Sequence, residues 1–208
     1  MKFNHLKNYI LLHSFINRPF FFNYLRLLVT GKQRNLKNFV KETLKDYQCQ
    51  TVLDICCGTG DFVQKESRKY VGVDINPRFI FFAQKKYANQ KIKFLLGNAL
   101  ELPVGSEKFD ASLLVSTLHH FSDEEAEKIL KEVKRVTQKV VIIIDLIPYP
   151  KNRLKQFLVI LDQGSFVRKE KEKEKLISRF FEIKSSRRLS AGLAEQYGII
   201  AVPHNQHE

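Results

Sequence analysis

Thr51-Val-Leu-Asp-Ile-Cys-Cys-Gly-Thr-Gly-Asp-Phe62 is the stretch on which the reading of this chain turns. Thr51, Val52, Leu53 and Ile55 have the β-branched and apolar character of a short strand, with the carboxylate of Asp54 inside it. Gly58 and Gly60 then allow a sharp turn whose backbone a ligand can approach closely. A helix is expected over residues 61–68, so that a glycine turn and the unpaired N–H groups of a helix start converge on one point. Such a point holds polar, partly anionic small molecules.

Two ligand families use this arrangement. A dinucleotide fingerprint, Gly-x-Gly-x-x-Gly or Ala, needs a small third residue so that helix and strand pack closely. Here that position is Val63, which weakens a nicotinamide or flavin reading without removing it. A second carboxylate, Asp74, closes the run Tyr70-Val71-Gly72-Val73, where its two oxygens can accept both hydroxyl protons of a ribose. That fits either ligand.

Outward from this stretch, apolar runs alternate with helical patterns, which predicts right-handed crossovers and a parallel sheet. Strands are expected at residues 52–56, 70–75, 92–96, 111–116, 139–146, 180–184 and 198–202. Helices are expected at 77–86, 123–136, 151–162 and 169–178, and Ser122 with Glu125 three residues on marks a capped helix start. The last two strands are expected to pair as an antiparallel hairpin joined by a long connector over 185–196. Residues 1–48 read as an N-terminal helical cap or lid, 49–203 as the α/β domain and 204–208 as a tail. Within the cap, apolar positions near helical spacing over 6–16 give a first helix, and Arg18-Pro19 breaks it from a very apolar second one over 20–29. Leu36, Phe39, Val40 and Leu44 form one face of a third, over 35–46. The second helix, dense in phenylalanine, packs on the sheet, roofs a pocket for an apolar substrate, or lies against lipid.

A hydrophobic fraction of 44% with 17 phenylalanines in 208 residues can fill one core. Three cysteines make no disulfide framework and show no metal-ligand spacing, so a reducing cytoplasm and no metal site are expected. No stretch reaches the roughly 20 apolar residues of a spanning helix, and the chain reads as soluble and unprocessed. The net charge of +13 favours phosphate-rich partners, nucleic acid or an anionic membrane, although glutamates interleave the lysines over 168–175.

Four segments resemble, in order and spacing, successive motifs of class I S-adenosylmethionine-dependent methyltransferases. They are Leu-Asp-Ile-Cys-Cys-Gly-Thr-Gly-Asp (53–61), Gly-Val-Asp-Ile-Asn (72–76), Gly-Asn-Ala-Leu-Glu-Leu-Pro (97–103) and Phe-Asp-Ala-Ser-Leu-Leu-Val-Ser (109–116). The paired cysteines and the Gly-Asn-Ala loop are most similar to the ubiquinone and menaquinone C-methyltransferase branch. That branch's Gly-Phe-Gly-Leu-Arg-Asn run after strand four is absent. The resemblance implies a Rossmann-like, seven-stranded, mostly parallel sheet with helices on both faces and an antiparallel last strand. It also implies S-adenosyl-L-methionine as cofactor. Cys56, Gly58, Thr59 and Gly60 would cradle its methionine part and Asp54 its ammonium, with Asp74 and Ile75 at the ribose, Asn98 and Ala99 at the adenine, and Ser116 at the end of strand four.

His119 and His120 are candidate general bases toward a hydroxyl or enol, since imidazole titrates near neutral pH. Tyr24, Asp145, Tyr149 and Arg168 are candidate substrate contacts. The Asp or Asn, Pro-Pro, aromatic motif of base-modifying amino methyltransferases is missing after strand four, as is a cysteine for the covalent route to pyrimidine carbon-5. The expected reaction is therefore in-line methyl transfer to a small apolar or amphipathic acceptor. An RNA methyltransferase and a non-catalytic cofactor-binding module are the alternatives, and peripheral lipid contact stays open.

Overall fold

The computed structural model describes residues 19–67, 69–87, 91–148, 165–192 and 194–204. They contain one seven-stranded sheet: β1 (Thr51–Ile55), β2 (Lys69–Asp74), β3 (Ile92–Leu96), β4 (Phe109–Val115), β5 (Thr137–Leu146), β6 (Phe181–Ala191) and β7 (Ala194–Pro203). The spatial order is β3-β2-β1-β4-β5-β7-β6. The first five strands are mutually parallel, and β7 lies antiparallel between β5 and β6. The strand order reverses between β1 and β4, so the carboxyl ends of these two neighbours frame a crevice.

Side chains alternate across the strands, which divides the core into two layers. Val52, Tyr70, Ala111, Leu113, Val140, Ile142 and Ile144 pack with α2 (Arg34–Asp46) and α3 (Pro77–Lys86). Leu53, Ile55, Val71, Val73, Leu114, Val141 and Ile143 pack with α4 (Asp123–Val136) and α5 (Glu170–Ile177) on the other face. Each fully buried aliphatic contributes about 1.5–3 kcal/mol. The helix starts follow local chemistry. Asn76 accepts from Arg78 N at 3.0 Å with Pro77 in the first turn, and Ser122 with Glu125 forms a reciprocal capping box. In α2, Leu36, Phe39, Val40 and Leu44 are buried as their spacing predicts. A further helix, α1 (Pro19–Thr30), precedes it and ends at Gly31.

Two expectations need correction. Residues 61–67 form turns, not a helix. The β1–β2 connection has thirteen residues, five of them spent on the cysteine-glycine turn. The remaining eight must return the length of β1, about 13 Å at the strand rise. A helix of eight residues spans only about 12 Å, with nothing left for entry and exit. Phe62 instead drops into the core between α2 and α3. Residues 185–196 are likewise not a connector but the two arms of a long hairpin, turned at Gly192. Their polar sequence reflects an edge strand: Leu189 and Ala191 point inward while Arg187 and Arg188 stay exposed, which guards the edge. The helices expected over 6–16 and 151–162, and Tyr149, lie outside the described residues. No described helix is long and apolar enough to cross a membrane.

Candidate functional site

The glycine turn leaves β1 through Cys56, whose φ of 59° is left-handed. Ser116, the first residue after β4, has a φ of 52°. Each such non-glycine residue costs about 1–3 kcal/mol, and here the two flank the crevice from adjacent strands. Gly58 (φ 54°) faces open space: a methyl group on its Cα would meet nothing within 4 Å. Gly60 (φ 75°) is closed underneath, where the same group would stand 3.0 Å from the rings of Phe94 and Tyr87. The turn is thus seated on aromatic rings at Gly60 and open at Gly58.

Asp74, at the end of β2, braces this turn. One carboxylate oxygen accepts from Gly58 N and the other from Asn76 N, both at 2.8 Å. Burial raises its pKa, and the N–H groups of Asn76, Gly58 and Ile75 pull it back down. Beside it, Ile75 and Leu96 are apolar yet 69% and 57% exposed at the ends of β2 and β3. Asn98 accepts from Leu100 N at 3.0 Å and holds the loop after β3, with Ala99 buried under it. Asp54 lies deeper, between Gly72 and Leu113, and accepts a hydrogen bond from the Tyr70 hydroxyl. Burial pushes its pKa to about 7, against the hydrogen bond from Tyr70. Burial also raises both the Cys56 and Cys57 thiols, so neither supplies a thiolate at neutral pH.

Two residues missed in the sequence complete the turn from above. On α1, Asn23 accepts from the Thr59 hydroxyl at 2.8 Å, and Arg26 pairs with Asp61. Lys86 of α3 approaches the other oxygen of Asp61 at 3.6 Å. Asn23 and Arg26, the polar residues one helical turn apart inside an apolar run, were the available signal. With no helix after the turn, α1 supplies the polar contacts there.

Residues 52–139 match the family model described as a methyltransferase domain. Over these residues, less than half of its length, the chain is similar to methyltransferase domains. A demethylmenaquinone methyltransferase of Thermotoga maritima is 28% identical over 59% of this chain and 55% of its own length. An ajmaline N-methyltransferase of Rauvolfia serpentina is 31% identical over 47% of this chain and 35% of its own. The chain spans about half the length of the curated relatives it matches. Among solved structures, magnesium protoporphyrin IX methyltransferase from Synechocystis PCC 6803 with bound SAH has a TM-score of 0.66 at 19% identity, over 82% of this chain and 83% of that one.

The crevice fits an adenosyl sulfonium. The space above Gly58 admits a ligand backbone, Asp74 ends a strand as a two-oxygen acceptor, and exposed Ile75 and Leu96 offer apolar surface to a purine. An ammonium near Asp54 would favour its ionised form. The affinity for S-adenosylmethionine is therefore expected to rise about tenfold from pH 5.5 to 7 and to stay flat in Asp54→Asn, read by calorimetry. The stability of the unliganded protein carries the opposite slope. A carboxyl whose folded pKa lies above its unfolded one stabilises fully below about pH 4, and that contribution is lost as pH rises through about 7.

At the other wall, His119 is fully buried with Nδ1 2.5 Å from Asp145 Oδ1, while His120 is exposed with its ring centroid 4.1 Å away. Gln196 of β7 donates to the Ser116 hydroxyl at 3.2 Å. Lys173 of α5, also buried, donates to Leu146 O at 2.5 Å and to Arg168 O, and burial lowers its pKa. The buried atoms Asp145 Oδ2 and Gln196 Oε1 have no hydrogen-bond partner among the described residues. Arg168 donates to the carbonyls of Leu118 and Phe121, each at 2.8 Å, and to Phe166 O and Asp123, so its guanidinium is engaged in holding the chain. Tyr24 is exposed on α1, away from the polar pair that meets the glycine turn. Among the described residues no cluster of His, Cys, Asp or Glu is placed to hold a metal.

Proposed function

We propose that this protein is an active methyltransferase whose acceptor is a small, largely apolar molecule presenting a hydroxyl or similar hydrogen-bond donor to the end of β5. The reading is carried by two buried acceptor atoms without a hydrogen-bond partner among the described residues, Asp145 Oδ2 at the end of β5 and Gln196 Oε1 on neighbouring β7, whose amide nitrogen reaches Ser116. Buried acceptors left empty cost about 1–3 kcal/mol each, and a donor on the incoming molecule recovers that. When bound, S-adenosylmethionine supplies a methyl group already activated by sulfonium charge. The work of the chain is then alignment and exclusion of water, and alignment alone accounts for roughly 7–11 kcal/mol of barrier lowering.

In this reading Asp74 and the glycine turn fix the donor side, and Asp145 and Gln196 orient the acceptor. His119 is a positioning residue, because its fully buried ring holds the Asp145 carboxylate. His120, exposed beside it, is the imidazole able to take a proton from an acidic hydroxyl. α1 acts as a lid, fastened over the turn by Asn23–Thr59 and Arg26–Asp61. An apolar acceptor is favoured because several of the curated relatives are demethylmenaquinone methyltransferases.

The experiment transfers labelled methyl from S-adenosylmethionine into fractionated metabolite, lipid and RNA pools. Label is expected in a small organic-soluble product. Asp145→Asn is expected to lower transfer at least tenfold with cofactor affinity within twofold, and removal of residues 1–30 to abolish transfer while some affinity remains. Label entering RNA, with transfer falling steeply as salt rises, would overturn the reading.

A further inference from the structure

α1 is amphipathic with its faces reversed. Its polar residues Asn23 and Arg26 turn inward to the glycine turn, while Phe20, Tyr24, Leu27 and Leu28, at helical spacing, are 50–78% exposed. The stripe continues into a groove of about 660 Å³ between α1 and α3. Phe20 and Phe82 meet edge to face in it at 5.4 Å, and Phe81 is 57% exposed beside them. Arg78, Lys85 and Lys86 rim the groove, with Lys85 lying 4.4 Å from the Phe81 ring centroid. An exposed apolar patch of this continuity marks an interaction surface.

Charge decides the occupant. The first 41 residues hold eight Lys or Arg and no Asp or Glu, which is eight of the thirteen excess positive charges in the chain. α3 also lacks acidic residues. A second copy of the chain, or residues 1–18, would bring more cations to a cationic rim. An anionic bilayer offers hydrocarbon for the rings and phosphate for the rim at the same depth. Aromatic side chains with an adjacent lysine suit that boundary.

We infer that α1 and α3 together form a docking surface for an anionic lipid bilayer. Phe20, Leu27, Leu28 and Phe81 enter the acyl boundary while Arg78 and Lys85 meet the headgroups. This inference does not depend on methyl transfer, and its test reads binding alone.

The full-length protein is sedimented with phosphatidylcholine vesicles lacking or containing phosphatidylglycerol. It is expected to bind the anionic vesicles at least tenfold more strongly and to be released as salt rises. Leu27→Ser/Leu28→Ser is expected to lose anionic-vesicle binding at least tenfold. So is Arg78→Glu/Lys85→Glu, whose positions are exposed and tolerate change. Affinity for S-adenosylmethionine, measured on the same samples, reports that each variant is folded. Equal binding to both vesicle types, binding to neither, or wild-type binding by either double variant would overturn the inference. A concentration-dependent dimer that Leu27→Ser/Leu28→Ser dissolves, without vesicle binding, would assign the face to a second copy and overturn it too.

Discussion

Asp74→Ala is expected to weaken S-adenosylmethionine binding at least a hundredfold, measured by calorimetry on the folded variant. Two losses combine. The substitution removes the acceptor pair proposed for the ribose, and it frees Gly58 N and Asn76 N, which the same carboxylate holds at 2.8 Å. Hydrogen bonds to a charged group contribute about 1.5–3 kcal/mol each, so losing two suffices for that factor. Asp74→Asn separates the roles. Its single oxygen can keep one of the two backbone contacts, and its amide nitrogen opposes the other N–H. An intermediate loss is therefore expected, and unchanged affinity in Asp74→Ala would remove the ribose assignment.

Arg168→Ala is expected to lower stability by about 3 kcal/mol, or roughly 6–12 °C in Tm for a chain of this size. The guanidinium is almost wholly buried and closes the turn after β4 onto the segment before α5 through Leu118 O, Phe121 O and Phe166 O. Its bond to Asp123 adds little, because that carboxylate is 76% exposed. The loss comes from the abandoned carbonyls. Arg168→Lys, with a single ammonium in place of the planar fork, is expected to recover less than half of it, read by thermal unfolding.

The two outcomes bear on how far the sequence could be read. β1, β2 and the turn between Cys56 and Asp61 were legible because strand propensity, glycine and carboxylates agree locally there. α4 was legible because its cap, Ser122, sits beside a clean apolar period. The absent helix over residues 61–67 was not, since Asp-Phe-Val-Gln-Lys-Glu-Ser has helical character and only the distance back to β2 forbids it. Arg168 read as a substrate contact because a lone arginine near the sheet edge carries no mark of the three carbonyls that surround it. The clasp of Asn23 and Arg26 on Thr59 and Asp61 joins positions more than thirty residues apart, which no local pattern records.

That clasp has a consequence for synthesis. Asn23 leaves the ribosome thirty-eight residues ahead of Asp61, and at about 5–20 residues per second the helix waits roughly 2–8 s for the turn that receives it. Throughout that interval a nascent segment rich in aromatic rings and free of acidic residues is presented to the cell before its receptor exists. Chaperones can therefore meet it before its own fold does, and the yield of folded protein becomes a race between translation and capture.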